Sequence, residues 1–170
     1  PKSNLSDIAR KSVVSSISDF AAKGIIPKFC IISVSVPKKI SRKQIVKLAT
    51  GFRNACKEFG LELLGGDTNE GKEIVIHVVL FGKADKIVPR NNAKTGDVII
   101  TTGPFGYTSC ALQILLKKKK ATKQFSKIAK SKFFKPNPRL KFGVACKSLL
   151  SSSIDSSDGL SSCLQELSIN

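Results

Sequence analysis

Asp155 and Asp158 stand three residues apart in the run Ser153–Leu160 (SIDSSDGL), directly before an apolar helical stripe. Two carboxylates at that spacing can share a hard cation such as Mg2+, while serine hydroxyls and the free amides of a helix start meet phosphate oxygens. The same letters also make an ordinary capped helix start, since Asp and Ser are favoured N-caps. A second candidate is Gly65-Gly66-Asp67-Thr68, between two apolar segments. Paired glycines let backbone approach a bulky anion, and an aspartate there can ligate Mg2+ at the anion's phosphates; a plain hairpin turn with a solvated Asp67 uses the same residues. Asp19 falls in an otherwise apolar stripe near a helix end, with no lysine expected in register, and a carboxylate so placed calls for a cation unless it lies on the exposed flank. Thr101–Gly106 (TTGPFG) has the strand, glycine turn, helix shape that can cradle an anion, but lacks the Gly-Lys-Ser/Thr of a Walker loop and fits a plain βα turn.

These acids are informative because they are scarce. The chain has 12 Asp and Glu against 29 Lys and Arg, a formal charge of +17, and no acid between Asp97 and Asp155. Eleven basic residues crowd Lys117–Lys141. A charge run of this kind usually faces water; a nucleic-acid site would need interleaved aromatics, and only Phe125, Phe133 and Phe134 are available, so nucleic acid is not the expected partner. A lone histidine, His77, cannot build a histidine metal centre. Five cysteines, widely spaced and without a Cys-x-x-Cys pair, argue against a disulfide framework or zinc site and for a reducing cytoplasm. No apolar stretch approaches the roughly 18 residues of a membrane span. With 41% apolar residues the chain can bury a core.

The elements that must position these residues follow from periodicity and punctuation. Ile8, Ala9, Val13, Ile17, Phe20 and Ala21 predict a helix over Ser6–Lys23, with Ser6 as N-cap and Gly24 beyond its end. Alternation over Phe29–Val36 predicts a strand. Ser41 and Gln44 form a capping box ahead of a stripe running from Ile45 to Phe59, closed by Gly60. A short strand is expected at Leu61–Leu64, a long one at Glu73–Gly82 and another at Val98–Thr102. Further helices are expected over Tyr107–Leu116, around Gln124–Phe133, over Arg139–Leu150 and from Leu160 onward. A domain boundary near Asn91–Gly96 divides the chain into residues 1–92 and 93–170.

The order of these pieces says more than any one of them. SISDFAAKGIIP (Ser16–Pro27), GLELLGGDTNEGKEIVIHVVLFG (Gly60–Gly82), RNNAKTGDVIITTGPFG (Arg90–Gly106), PNPRLKFG (Pro136–Gly143) and SIDSSDGLSSCLQEL (Ser153–Leu167) together resemble the thiamine-monophosphate kinases, in the ATP-binding superfamily of aminoimidazole ribonucleotide synthetase. The resemblance implies an α+β fold: an N-terminal ATP- and Mg2+-binding domain over residues 1–92, dimerising through its strands, then the start of a second α+β domain over 93–170. It implies ATP-dependent phosphorylation of thiamine monophosphate to thiamine diphosphate, by direct in-line transfer with Mg2+ and without a covalent nucleophile. Carried over by position, Asp19, Asp67, Asp155 and Asp158 are expected metal ligands, and Gly66, Asp67, Arg90 and Ser157 expected ATP contacts. That family has a further Gly-Asp-Asp segment before this region and thiamine-holding motifs after it. Their absence, the lack of Met and the ends at Pro1 and Asn170 predict a piece of a longer protein, missing the first strands of its N-terminal domain. An ATP-dependent dehydratase of the hydrogenase-maturation type is the alternative within the superfamily, and a basic nucleic-acid module the alternative outside it.

Overall fold

Ala9, Val13 and Ile17, spaced by four, are each wholly removed from solvent on one stripe of the first helix, α1 (Leu5–Lys23). Residues 3–169 are described by the computed structural model, and they form six helices and three strands in an α+β arrangement. The N-cap of α1 is Asn4, whose side chain accepts from the Ser6 amide at 3.2 Å, rather than the expected Ser6. Both are good caps, and periodicity does not fix the first turn to within two residues. Gly24 ends α1 in the left-handed region (φ 69°), and the chain turns at once into β1 (Phe29–Pro37).

Helix α2 (Arg42–Phe59) carries the expected capping box of Ser41 and Gln44 and closes at Gly60 (φ 67°). Its Leu48, Phe52, Ala55 and Cys56 pack with the α1 stripe over Cys30, Ile32 and Val34 of β1 and Leu80 of β3 (Val75–Phe81). Strand β1 is central in a three-stranded sheet of order β2-β1-β3, parallel to β2 (Glu62–Gly71) and antiparallel to β3. Alternate β1 residues face away from the helices. There Phe29 pairs with Phe81 and Ile31 with Val79, and all four stay exposed.

Two expectations change here. Gly65-Gly66-Asp67-Thr68 is not a turn after a short strand but the middle of β2, with Gly66 opposite Ile32 and Asp67 opposite Ser33. A Cβ at Gly66 would overlap the Ile32 backbone, so the glycine serves strand pairing. Val98–Thr102 forms no strand; Val98, Ile99 and Ile100 are 86%, 68% and 56% exposed.

The later helices are α3 (Tyr107–Leu116), α4 (Lys123–Phe134), α5 (Leu140–Cys146, shorter than expected) and α6 (Leu160–Ser168). α3 packs on α4, and α5 lies against α1 so closely that a Cβ on Gly143 would overlap the Ala21 carbonyl. Among the described residues no helix is long and apolar enough to cross a membrane.

Candidate functional site

The end of α1 projects Asp19 and Lys23 from one face, one turn apart, into a cavity of about 490 Å³. Arg90 reaches the same cavity from the loop after β3, and Asp155, Ser157 and Asp158 from the turn before α6. Backbone and hydroxyl hydrogen bonds hold these distant segments together. The Val88 amide donates to the Lys23 carbonyl at 3.2 Å, tying the Arg90 loop to α1. The Ser153 amide donates to the Pro89 carbonyl at 3.0 Å, and the Ser152 hydroxyl to the Arg90 carbonyl at 2.5 Å. Asn92 donates its side-chain amide to the Ser151 carbonyl at 3.1 Å. The Ser151 hydroxyl donates to Asp97, which also accepts from the Lys94 amide; Asp97 is held below the usual carboxylate range first by the Ser151 hydroxyl and then by that amide. A serine ladder, Ser151–Ser153, thus fixes the turn carrying Asp155 against the loop carrying Arg90.

Charge within the cavity is finely opposed. Partial burial, then the neighbouring Asp155 carboxylate, pushes the Asp19 carboxyl above its ordinary range, and Lys23 offsets this only in part. The Ser18 hydroxyl donates to Asp155 Oδ2 at 3.5 Å. Burial and then Arg90 lower the Lys23 ammonium, against the pull of Asp155 and Asp19. Arg90 pairs with Glu166 Oε2 at 3.3 Å. Cys163 is buried in the wall, its thiol donating to the Asp155 carbonyl at 3.4 Å and pushed up by burial and the nearby acids.

Of the residues singled out from sequence, Asp19, Arg90, Asp155, Ser157 and Asp158 share this cavity. Gly66 and Asp67 do not line it. In the strand register Asp67 aligns with Ser33 and His77, on the sheet face turned from the helices, and its two oxygens accept from the Thr68 amide and the Asn69 side chain, each at 2.7 Å. Lys23 corrects the expectation that no lysine would stand in register with Asp19; its i+4 spacing was the available signal. Glu166 and Cys163 also line the cavity. They sit on α6 at a spacing that reads equally well as a helical flank, so nothing local marked them.

Among the described residues, no three His, Cys, Asp or Glu side chains form a ready-made metal cage. Mg2+ does not require one. It is commonly held by one or two carboxylates together with substrate phosphates and water, and the hard oxygens of Asp19 and Asp155, in electrostatic contact inside one cavity, fit that pattern.

Residues 2–84 match the family described as AIR synthase related protein, N-terminal domain. The thiamine-monophosphate kinase of Nitrosopumilus maritimus is 55% identical over 167 residues, covering 98% of this chain and 54% of the relative. The solved structure named AaThiL complexed with AMPPCP and TMP superposes with a TM-score of 0.90 at 25% identity, covering 98% of this chain and 54% of that one. The chain spans about half the length of these relatives. The hydrogenase maturation protein HypE of E. coli shares the fold at a TM-score of 0.62 and 15% identity, over 76% of this chain and 44% of that one.

Proposed function

We propose that this chain, which is similar over residues 2–84 to the AIR synthase related N-terminal domain and over 167 residues to a thiamine-monophosphate kinase, is part of an enzyme that phosphorylates thiamine monophosphate with ATP. The observation that carries this is the gathering of Asp19, Asp155 and Asp158 with Lys23 and Arg90 in one cavity, from segments more than sixty residues apart. AMPPCP and TMP in a structure so similar in fold support the same pair of substrates here.

Asp19 and Asp155 are the metal ligands best supported by their shared cavity, with Asp158 beside them. Bound there with the nucleotide, Mg2+ would supply charge neutralisation at the β- and γ-phosphates. Arg90 orients the phosphates, its guanidinium matching paired phosphate oxygens, and Ser157 offers hydroxyl and amide donors at the start of α6. The transfer we propose is in line. A phosphate oxygen of thiamine monophosphate bonds to the γ-phosphorus as the bond from that phosphorus to the β–γ bridging oxygen breaks, and ADP leaves with the bond's electron pair. No side chain is phosphorylated, so the protein's work is alignment and charge compensation.

We assign residues 1–92 to the ATP- and Mg2+-binding domain and 93–170 to the start of a second domain. The buried cluster supports the division, since its members run from Ala9 to Leu80. Gly66 and Asp67 remain proposed nucleotide and metal contacts by position. They belong to β2, in the sheet whose exposed Phe29, Ile31, Val79 and Phe81 are proposed to pair with a second copy. Five free thiols suit a reducing, cytoplasmic setting. The test is direct: the intact protein, incubated with γ-labelled ATP, Mg2+ and thiamine monophosphate, should yield labelled thiamine diphosphate, and Asp155→Asn should reduce the rate at least a hundredfold. Hydrolysis of ATP without labelled product would overturn the assignment.

A further inference from the structure

Lys23 lines the cavity as a second cation beside Arg90, and its placement is tightly built. It occupies the last turn of α1, its carbonyl bonded to Val88 and the next residue, Gly24, held in the left-handed region. The backbone on both sides of its side chain is therefore fixed, and the side chain lines the cavity beside Arg90. Arg90 is already paired with Glu166 at 3.3 Å, whereas Lys23 belongs to none of the ion pairs within 4.0 Å among the described residues. Its counter-charge comes at longer range from Asp19 and Asp155.

Those two carboxylates are the pair proposed to take Mg2+. With a divalent cation held by them, Lys23 would lose that compensation and would face both the ion and Arg90. The anion that must enter with the ion is the nucleotide's phosphate chain, and it restores the balance. We propose that Lys23 is a phosphate-contacting residue that binds the β- or γ-phosphate of the nucleotide, as a point charge complementing the fork of Arg90. This rests on the phosphotransferase assignment and gives a role to a residue that assignment places in the cavity without one.

The experiment is competitive amine acylation of the intact protein, read at Lys23 by peptide mass spectrometry with Mg2+ and ATP, ADP or AMP. A phosphate contact predicts that ATP slows Lys23 acylation several-fold and AMP does not. Lys23→Gln should raise the Kd for ATP roughly tenfold, the effect of losing one charge-assisted contact, and Lys23→Arg should recover most of it. Each variant is read against its own nucleotide-free melting temperature, since removing the Lys23 charge also alters its balance with Asp19, Asp155 and Arg90. A merely structural lysine would leave ATP affinity unchanged. If ATP raises the wild-type melting temperature yet Lys23 acylates at an unchanged rate, or if folded Lys23→Gln binds ATP as well as wild type, the inference fails while the phosphotransferase assignment stands. If ATP has no effect on the wild-type melt, both fail together. Should Lys23→Gln not fold, the acylation comparison decides alone.

Discussion

Removing the charge of Asp19 should make the empty protein more stable and the loaded protein less so. Asp19 is partly buried beside the Asp155 carboxylate, and both effects raise its pKa in the folded state. A raised carboxyl means that ionisation costs folding free energy. At a pH below the ordinary aspartate value both states hold the proton and nothing is lost. As pH rises through that value the unfolded chain releases its proton first, and the full cost is reached above the folded value. Asp19 is largely exposed, so solvent screening limits the penalty to about 0.5–1 kcal/mol, the range for interacting charges near a surface. For a chain of this size that corresponds to a gain of about 1–4 °C in melting temperature for Asp19→Asn near neutral pH. Ligand binding reverses the order. Saturation with Mg2+ and ATP at a hundred times Kd stabilises the wild type by about 2.7 kcal/mol, several degrees, and the variant should gain little. Differential scanning fluorimetry from pH 3 to pH 8, with and without nucleotide, reads all four states. If Asp19→Asn is less stable than wild type at neutral pH, or if its gain is the same in acid, the charge account of this cavity is wrong.

Two further outcomes test the scaffold beneath the site. Arg10 grips Glu58 through two hydrogen bonds of 2.7 Å, joining α1 to α2, and the Glu58 carboxyl is held below its ordinary range chiefly by that bond. A double-mutant cycle with Arg10→Met and Glu58→Gln should give a coupling of about 0.5–1 kcal/mol above the ordinary glutamate pKa, lost as pH falls through the lowered folded value and weakened by salt. Gly143→Ala should cost about 1–3 kcal/mol in urea unfolding, because the added methyl must displace α5 from the Ala21 carbonyl.

The helical half of the fold was legible because its signals are local. A serine and a glutamine three apart fix the start of α2, and glycines in the left-handed region fix the ends of α1 and α2. The strands were legible only in part. Gly65-Gly66-Asp67-Thr68 has the composition of a turn, yet parallel pairing with β1, a contact across some thirty residues, extends β2 through it. Val98-Ile99-Ile100 has the composition of a strand, but among the described residues it pairs with none. The site divided in the same way. Asp155 and Asp158 declared themselves by spacing, whereas the meeting of Asp19, Lys23, Arg90 and Glu166 depends on the Val88–Lys23 backbone bond and on backbone and side-chain hydrogen bonds between residues 89–92 and 151–153, which leave no periodic mark in the sequence. Resemblance groups Asp67 with the other aspartates, and the strand register sets it on the far face of the sheet.

Asp19 and Asp155 are proposed to receive a divalent cation and a nucleotide jointly. Isothermal titration of ATP into the intact protein, with Mg2+ and then with EDTA, measures this most directly when repeated on Asp155→Asn. We expect binding with Mg2+, loss of at least tenfold in affinity with EDTA, and no Mg2+ dependence in the variant. ATP binding of equal strength with and without Mg2+, unaltered by Asp155→Asn, would contradict the account.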